Sequence, residues 1–157
     1  MRLSDEDYLR KAIDLARQAR ERGDDPFGAL LVSADGEVLA EALNSVVTAK
    51  DCTGHAEINL MRAASQRFPR EVLQAATLYT SSEPCPMCAG AIFWGSVGRI
   101  VFSVSGWTLR MIVDQNPANP TLAMPCGELL ERGNRHIEVV GPLLEKEGLK
   151  VHEGYWK

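Results

Sequence analysis

The sequence predicts an α/β protein with three layers, α-β-α, in which helices cover both faces of a five-stranded mixed sheet. Two observations predict this fold. Two short apolar segments joined by the turn ADG indicate an antiparallel hairpin near the start of the chain. After the hairpin, segments of helical period alternate with short apolar segments, as in proteins with helices on both sides of a sheet.

The first half of the chain contains two predicted helices and the hairpin. A helix is expected from Ser4 to Gly23, because Ser4 is a good N-cap and an apolar stripe follows at near-helical period. FGALLVS is rich in branched apolar residues and predicts a buried strand, and EVLAEALN predicts its antiparallel partner. The polar loop SVVTAKDCTG leads to HAEINLMRAASQRF, whose apolar residues have helical spacing.

The second half continues the alternation and then weakens. ATLYTSS and GRIVFSV are predicted strands, and the helix CPMCAGAIFWG between them is apolar on nearly every face. We expect the sheet to cover one side of that helix and a second subunit to cover the other. GWTLRMIVDQNPANPTLAMPCG has three prolines and no clear period, so we predict a long ordered loop. ELLERG predicts a short helix, HIEVVG the fifth strand and LLEKEGL a last helical turn or two.

Length and composition indicate a single soluble domain covering residues 1–157. The chain is 45% hydrophobic and 24% charged, and its longest apolar runs are too short to cross a bilayer. The acidic N-terminus has no apolar core of a secretory signal, so we expect a cytoplasmic protein with reduced thiols. The net charge of −4 argues against a broad nucleic-acid interface.

The stretch SSEPCPMC places Cys85 and Cys88 one helical turn apart. Such a pair suits a redox disulfide, a structural zinc corner or half of a catalytic metal site. His55 offers a third ligand, and Glu57 is better placed to reach a metal-bound water than to bind the metal beside His55. The pattern H-x-E, 26 intervening residues, then P-C-x-x-C is the signature of zinc deaminases, and it is much more specific than the cysteine pair alone.

With these motifs the sequence resembles the cytidine/deoxycytidylate deaminase superfamily from about Asp5 to Val104. DDPFGALLV, Asn44, HAEI and SSEPCPMCAGAIFW look most like the bacterial guanine deaminase branch, although tRNA adenosine deaminases share part of them. Two features depart from the family. The loop before the histidine has Cys52 and Gly54 where Pro and Ala are frequent, and residues 105–157 match neither of these two branches closely.

The resemblance implies a cytidine deaminase-like fold, one Zn²⁺ per subunit and a role for each matching residue. Its zinc ligands would be His55, Cys85 and Cys88, with water or hydroxide as the fourth ligand and Glu57 as the proton shuttle. The substrate would contact Asn44, the Ala56 backbone, Phe27 and Trp94. It also implies a homodimer with exchanged C-terminal segments, so that residues 105–157 set specificity and dimerisation, Tyr155 and Trp156 close a neighbour's site, and Asp114 is a candidate second shuttle.

The expected activity is hydrolytic deamination of a free nucleobase, with guanine converted to xanthine and ammonia. A deaminase of another base, a nucleoside or a small amino-heterocycle, such as cytosine, ammeline or an oxidised purine, is the alternative. A tRNA adenosine deaminase would need a basic surface around the pocket, yet the stretch from Glu128 has no excess of bases over acids. A zinc-stabilised binding module would have no use for Glu57 as a proton shuttle.

Overall fold

The fold is known from a computed structural model that describes residues 2–157. The strands are β1 (Gly28–Val32), β2 (Val38–Leu43), β3 (Thr77–Ser82), β4 (Arg99–Val104) and β5 (Glu138–Val140). The helices are α1 (Asp5–Arg22), α2 (Ala56–Arg67), α3 (Arg70–Gln74), α4 (Pro86–Trp94), α5 (Gly106–Val113), α6 (Cys126–Leu130) and α7 (Glu145–Lys150).

The five strands form one mixed sheet in the order β2-β1-β3-β4-β5. β1 is antiparallel to both β2 and β3, whereas β3, β4 and β5 are parallel to one another. The parallel strands are joined through helices, and the antiparallel pair β1–β2 is the hairpin closed by the predicted turn. The predicted five-stranded mixed sheet is therefore confirmed.

Helices cover both faces of the sheet. Successive side chains of a strand point to opposite faces, so strands with apolar residues at successive positions need cover on both sides. On one face, Leu30, Val32, Tyr79 and Val101 pack against the apolar stripe of α1. On the other face, alternate residues of the same strands pack against α2, α4 and α6. The three-layer arrangement follows from strands that are apolar on both faces and so must be covered twice.

The boundaries of α1 follow the signals in the sequence. The Ser4 side chain accepts a hydrogen bond from the Asp7 backbone N–H at 3.1 Å, as an N-cap does. Gly23 ends the helix with φ of 102°, a conformation that glycine adopts without steric cost. Gly28 lets α1 lie directly on β1, because a Cβ at this position would be 2.5 Å from both the Ala16 nitrogen and the Leu15 Cβ.

The prediction of a long loop after β4 is wrong for its first part. Residues Gly106–Val113 form α5, which is capped by the Ser105 hydroxyl, and only the stretch from Asp114 to Pro125 lacks regular structure. The helix begins with glycine and contains a tryptophan, a threonine and an isoleucine, so its helix propensity is low and tertiary contacts decide its conformation. The short helix α3 was also not predicted, and α6 begins at Cys126 rather than at Glu128.

The C-terminal elements pack at the parallel edge of the sheet and near α1. β5 adds to the parallel edge, and Leu143 and Leu144 pack beside α1 on the face that α1 covers. Arg20 of α1 donates hydrogen bonds to the carbonyl groups of Val151 and Glu153, so the C-terminal residues lie near the end of α1. Within residues 2–157, no helix combines the length and the apolar character needed to span a bilayer.

Candidate active site

Two helix starts bring the candidate metal ligands together. His55 is the N-cap of α2, with extended backbone angles of φ −67° and ψ 152°. Cys85 is the N-cap of α4, Pro86 is the first helical residue, and Cys88 lies in the first turn. Neither N-cap side chain forms a capping hydrogen bond, which leaves both side chains free to point toward one another.

The three ligand atoms have the spacing of a zinc site. Nδ1 of His55 lies 3.6 Å from Sγ of Cys85 and 3.4 Å from Sγ of Cys88, and the three atoms lie within 4.8 Å of one another. Ordinary zinc bond lengths at tetrahedral angles place a nitrogen and a sulfur about 3.6 Å apart. The donor set therefore fits a tetrahedral zinc ion, with room for one further ligand.

The protonation of the three side chains also fits a dication. The hydrogen bond from Cys88, together with His55, lowers the pKa of Cys85 to about 4, although burial opposes this. The same hydrogen bond, burial and the negative charge of Glu57 raise the pKa of Cys88. The thiolate of Cys85 raises the pKa of His55. The site thus holds a buried negative charge, which a zinc ion would neutralise. It also holds protons that zinc would displace when it binds.

Glu57 supplies a buried carboxyl group beside these ligands. It lies in the first turn of α2 and is only 6% exposed. Burial and the negative charge of Cys85 raise the pKa of Glu57 to about 7. A carboxyl group in this range can both accept and return a proton near neutral pH, and a nearby cation would shift its pKa downward.

Phe27 and Asn44 flank the two hairpin strands at the same end, and Ala56 is at the start of α2. The Asn44 backbone N–H donates to the Phe27 carbonyl at 3.0 Å. The Asn44 side chain is buried, and its oxygen accepts from the Val46 N–H at 3.0 Å, so its amide NH₂ group is not used in that turn. Ala56 is the first residue of α2, where backbone N–H groups have no partner within the helix.

The C-terminal aromatic residues pack against Phe27 of their own chain. The Phe27 ring centroid lies 6.0 Å from that of Trp156 and 5.5 Å from that of His152. The Tyr155 hydroxyl donates to the Asp25 carboxylate, and the Trp156 indole N–H donates to Nδ1 of His152 at 3.0 Å. Tyr155 and Trp156 therefore lie near Phe27, a residue expected to contact the substrate, within the same chain.

Trp94 and Asp114 are both exposed, and neither contact set includes a metal ligand. Trp94 is 83% exposed at the last residue of α4, and this helix of nine residues is about 13 Å long. Its side chain is therefore at the opposite end of the helix from Cys85. Asp114 is exposed at the end of α5, where its carboxylate accepts from Arg110 at 3.0 Å and Thr121 at 2.9 Å. The Arg110 hydrogen bond lowers the pKa of Asp114, which opposes proton transfer near neutral pH.

Three further residues near the site make contacts that the sequence did not predict. Asp24 is fully buried, and its carboxylate holds the loop that follows Asn44. His152 is only 2% exposed, and the spacing of four residues between it and Trp156 was the available signal. Glu83 accepts hydrogen bonds from the first residues of α5 and α6, for which the local sequence carries no signal.

Comparison with known proteins is consistent with this geometry. Residues 2–104 match the model of the cytidine and deoxycytidylate deaminase zinc-binding region. A probable cytosine deaminase of Schizosaccharomyces pombe is 38% identical over 156 residues, covering 98% of this chain and 94% of that protein. A tRNA-specific adenosine deaminase of Bacillus subtilis is 37% identical and covers 91% of this chain and 83% of its own length.

A guanine deaminase and a solved structure complete the comparison. The guanine deaminase of Bacillus subtilis is 43% identical over 102 residues, which is 64% of this chain and 65% of that protein. The solved structure of a guanine deaminase from Nitrosomonas europaea superposes with a TM-score of 0.78 at 24% identity, covering 96% of this chain and 83% of that chain. The overlap extends through the C-terminal region, so the whole fold is shared.

Proposed function

The chain belongs to the cytidine and deoxycytidylate deaminase family of zinc-dependent hydrolytic deaminases, and we propose that its substrate is a free nucleobase. The reaction replaces an exocyclic amino group on the ring by oxygen and releases ammonia. The observation that carries the proposal is the buried Glu57 carboxyl group beside three side chains with zinc spacing. A purely structural zinc site would not need a carboxyl group there.

In this proposal each residue of the site has one task. His55, Cys85 and Cys88 hold the metal. When bound, zinc polarises a water molecule and lowers its pKa to about 7, which makes it a nucleophile near neutral pH. Glu57 accepts the water proton and donates a proton to the ring nitrogen next to the carbon that is attacked. The amino group then takes the remaining proton of the added hydroxyl group by way of Glu57. The C–N bond breaks, ammonia leaves, and the added oxygen becomes the ring carbonyl.

The remaining residues bind the base and limit its size. The free NH₂ group of Asn44 and the Ala56 N–H are donors suited to the oxygen or nitrogen acceptors of a base. Phe27 contributes an aromatic face. The packing of Tyr155 and Trp156 against the Asp25–Phe27 region in the same chain supports a small substrate, because an attached sugar or polymer would need space at this side.

Guanine and cytosine are the two candidate bases. The motifs around the zinc ligands resemble those of guanine deaminases, which favours guanine and its conversion to xanthine. A specific observation favours cytosine as the second candidate. The similarity to the probable cytosine deaminase extends over 98% of the chain, including residues 105–157, whereas the similarity to the Bacillus guanine deaminase covers 64%. Ammonia release from each base decides between them.

We further propose that the single domain, residues 1–157, acts as a homodimer in which residues 105–157 set both specificity and dimerisation. Large apolar side chains are exposed at the end of α4 and on α5, among them Trp94, Trp107 and Met111. Trp107 and Met111 are four residues apart and share one helix face. A second copy that covers these side chains would bury the exposed part of Trp94. Exchange of the tail would replace the contacts of Tyr155 by those of a neighbour.

The experiment compares ammonia release from guanine, cytosine, guanosine, cytidine, adenine, adenosine, ammeline and a tRNA anticodon stem-loop by the zinc-loaded protein. Glu57→Gln should retain one zinc per chain and lose at least about a hundredfold in kcat, since general acid–base catalysis contributes that much or more. Turnover of the RNA but of no free base would overturn the substrate proposal. Wild-type turnover by Glu57→Gln would overturn the role of Glu57.

A further inference from the structure

We infer that Glu83 is a positioning residue for the substrate, because its carboxylate joins the loop that carries Cys85 to both ends of the segment Gly106–Cys126. The inference rests on the proposed function, since it concerns how that substrate is held. Glu83 lies two residues before Cys85, and its carboxylate hydrogen-bonds to backbone N–H groups of the C-terminal part rather than to the metal ligands. It acts through the C-terminal part of the chain.

The contacts of Glu83 are specific to each carboxylate oxygen. Oε1 accepts from the backbone N–H of Gly106 at 2.8 Å, and Oε2 accepts from the backbone N–H of Cys126 at 2.9 Å. Gly106 is the first residue of α5 and Cys126 is the first residue of α6. The Glu83 backbone N–H also donates to the Val104 carbonyl at 2.7 Å, which fixes the origin of the side chain beside the end of β4.

These contacts close the segment between the two helix starts into a loop with one shared base. First-turn N–H groups have no partner inside their helix, so a carboxylate that accepts from two of them satisfies both. The neighbouring Ser105 N–H donates to Glu145 of α7 at 2.8 Å, which continues the connection toward the C-terminus. A Cβ at Gly106 would lie 3.3 Å from Oε1, so glycine leaves the carboxylate its close approach.

The consequence is a rigid connection between the zinc ligands and the part of the chain proposed to select the base. Cys85 defines where the substrate's reacting carbon must lie, and residues 105–157 define where the rest of the ring can lie. Glu83 sets the distance between these two regions through two charge-assisted hydrogen bonds. Loss of one bond would displace the C-terminal segment while the ligands remain in place, so substrate affinity should change more than the chemical step.

Glu83→Gln tests this inference, and Glu145→Gln is the matched control. Glu83 uses both oxygens as acceptors, whereas a glutamine has one acceptor oxygen, so one of the two bonds must be lost. Glu145 uses one oxygen toward Ser105, and a glutamine can retain that bond. The measurements are zinc content, amide hydrogen exchange at positions 106 and 126, and KM and kcat for guanine and cytosine.

We expect Glu83→Gln to keep one zinc per chain and to raise KM about tenfold, the loss of one charge-assisted bond, while kcat changes by less than about threefold. Amide exchange at position 106 or 126 should accelerate by at least about tenfold. Glu145→Gln should leave KM and both exchange rates near the wild-type values. Accelerated exchange with an unchanged KM would overturn the inference, because Glu83 would then only stabilise the fold.

Gly106→Pro provides an independent variant that reaches the same contact from the other side. Proline lacks the N–H that Oε1 accepts, and its ring would also occupy space that glycine leaves to the carboxylate. The first helical position itself tolerates proline, and the extended Ser105 before it is compatible. The same rise in KM is expected. If the wild-type protein deaminates no base, the proposed function fails. An active wild type with an unchanged KM in both variants overturns only the role of Glu83.

Discussion

Replacement of Asp24 by asparagine should destabilise the loop that leads from Asn44 to His55. Asp24 follows the end of α1, and its side chain is completely buried. Oδ1 accepts from the backbone N–H groups of Val47 and Thr48, at 3.1 and 2.8 Å. Oδ2 accepts from the Thr48 hydroxyl and from Arg22, both at 2.8 Å. Burial alone would raise the pKa of Asp24, but the hydrogen bonds from Thr48 and Arg22 outweigh it and lower the pKa.

The magnitude follows from the number and kind of these bonds. Asparagine retains one acceptor oxygen for the two backbone N–H groups, and its NH₂ group then faces the Arg22 N–H, so that bond is lost. A hydrogen bond to a charged group contributes about 1.5–3 kcal/mol and a neutral one about 0.5–1.5 kcal/mol. Arg22 is half exposed and its ion pair is partly screened, so we expect a total loss of about 2–4 kcal/mol.

Urea unfolding of the zinc-loaded protein at neutral pH measures this loss directly. Asp14→Asn is the matched control, because Asp14 is a surface residue on α1 whose carboxylate accepts from Gln18. The control should change the free energy of unfolding by less than about 0.5 kcal/mol. The depressed pKa means that the contribution of Asp24 is present above its ordinary value of 3.8 and is lost as the pH falls through its lower folded value. If Asp24→Asn unfolds with a free energy within about 0.5 kcal/mol of wild type, the buried Asp24 hydrogen bonds do not stabilise this loop.

Three further perturbations test the packing, the tail and the metal site. Gly28→Ala should destabilise the protein by about 1–3 kcal/mol because its Cβ would overlap α1. Gly127→Ala, with open space around it, should stabilise α6 by up to about 1 kcal/mol. Changes in melting temperature of the same sign for both variants would contradict this. Burial lowers the pKa of His152 from 6.5 to about 4, so its contribution to stability is complete above pH 6.5 and is lost as the pH falls toward 4. The free energy of unfolding should therefore drop by about 2 kcal/mol more between pH 7.5 and 5 in wild type than in His152→Gln, and parallel pH profiles would refute it. Zinc binding near pH 7 should release at least about one proton, because the raised pKa of Cys88 keeps that thiol protonated without metal. Calorimetry in two buffers of different ionisation enthalpy measures the number of protons released. Zinc binding without proton release would contradict the assignment of Cys88 as a ligand.

The elements that the sequence predicted well are those with strong local signals. α1 has a capping serine, an apolar stripe and a terminal glycine, and all three operate in the structure. The strands are short, branched and apolar, and they form the expected mixed sheet. α5 was missed because its eight residues carry weak helix propensity, and its start is stabilised by Glu83 and Glu145 from distant parts of the chain. Such partners leave no trace in the local pattern.

The residues of the metal site could be predicted from the sequence, because the ligands and Glu57 occur at helix starts where local backbone geometry orients them. The family could be predicted as well, since residues 2–104 carry the motifs. The position of the C-terminal third could not be predicted, because it depends on tertiary contacts. Hydrogen bonds to Glu83 position the starts of α5 and α6, and aromatic packing on Phe27 positions the tail. These contacts join residues far apart in the chain, so they depend on the folded sheet rather than on any local sequence preference.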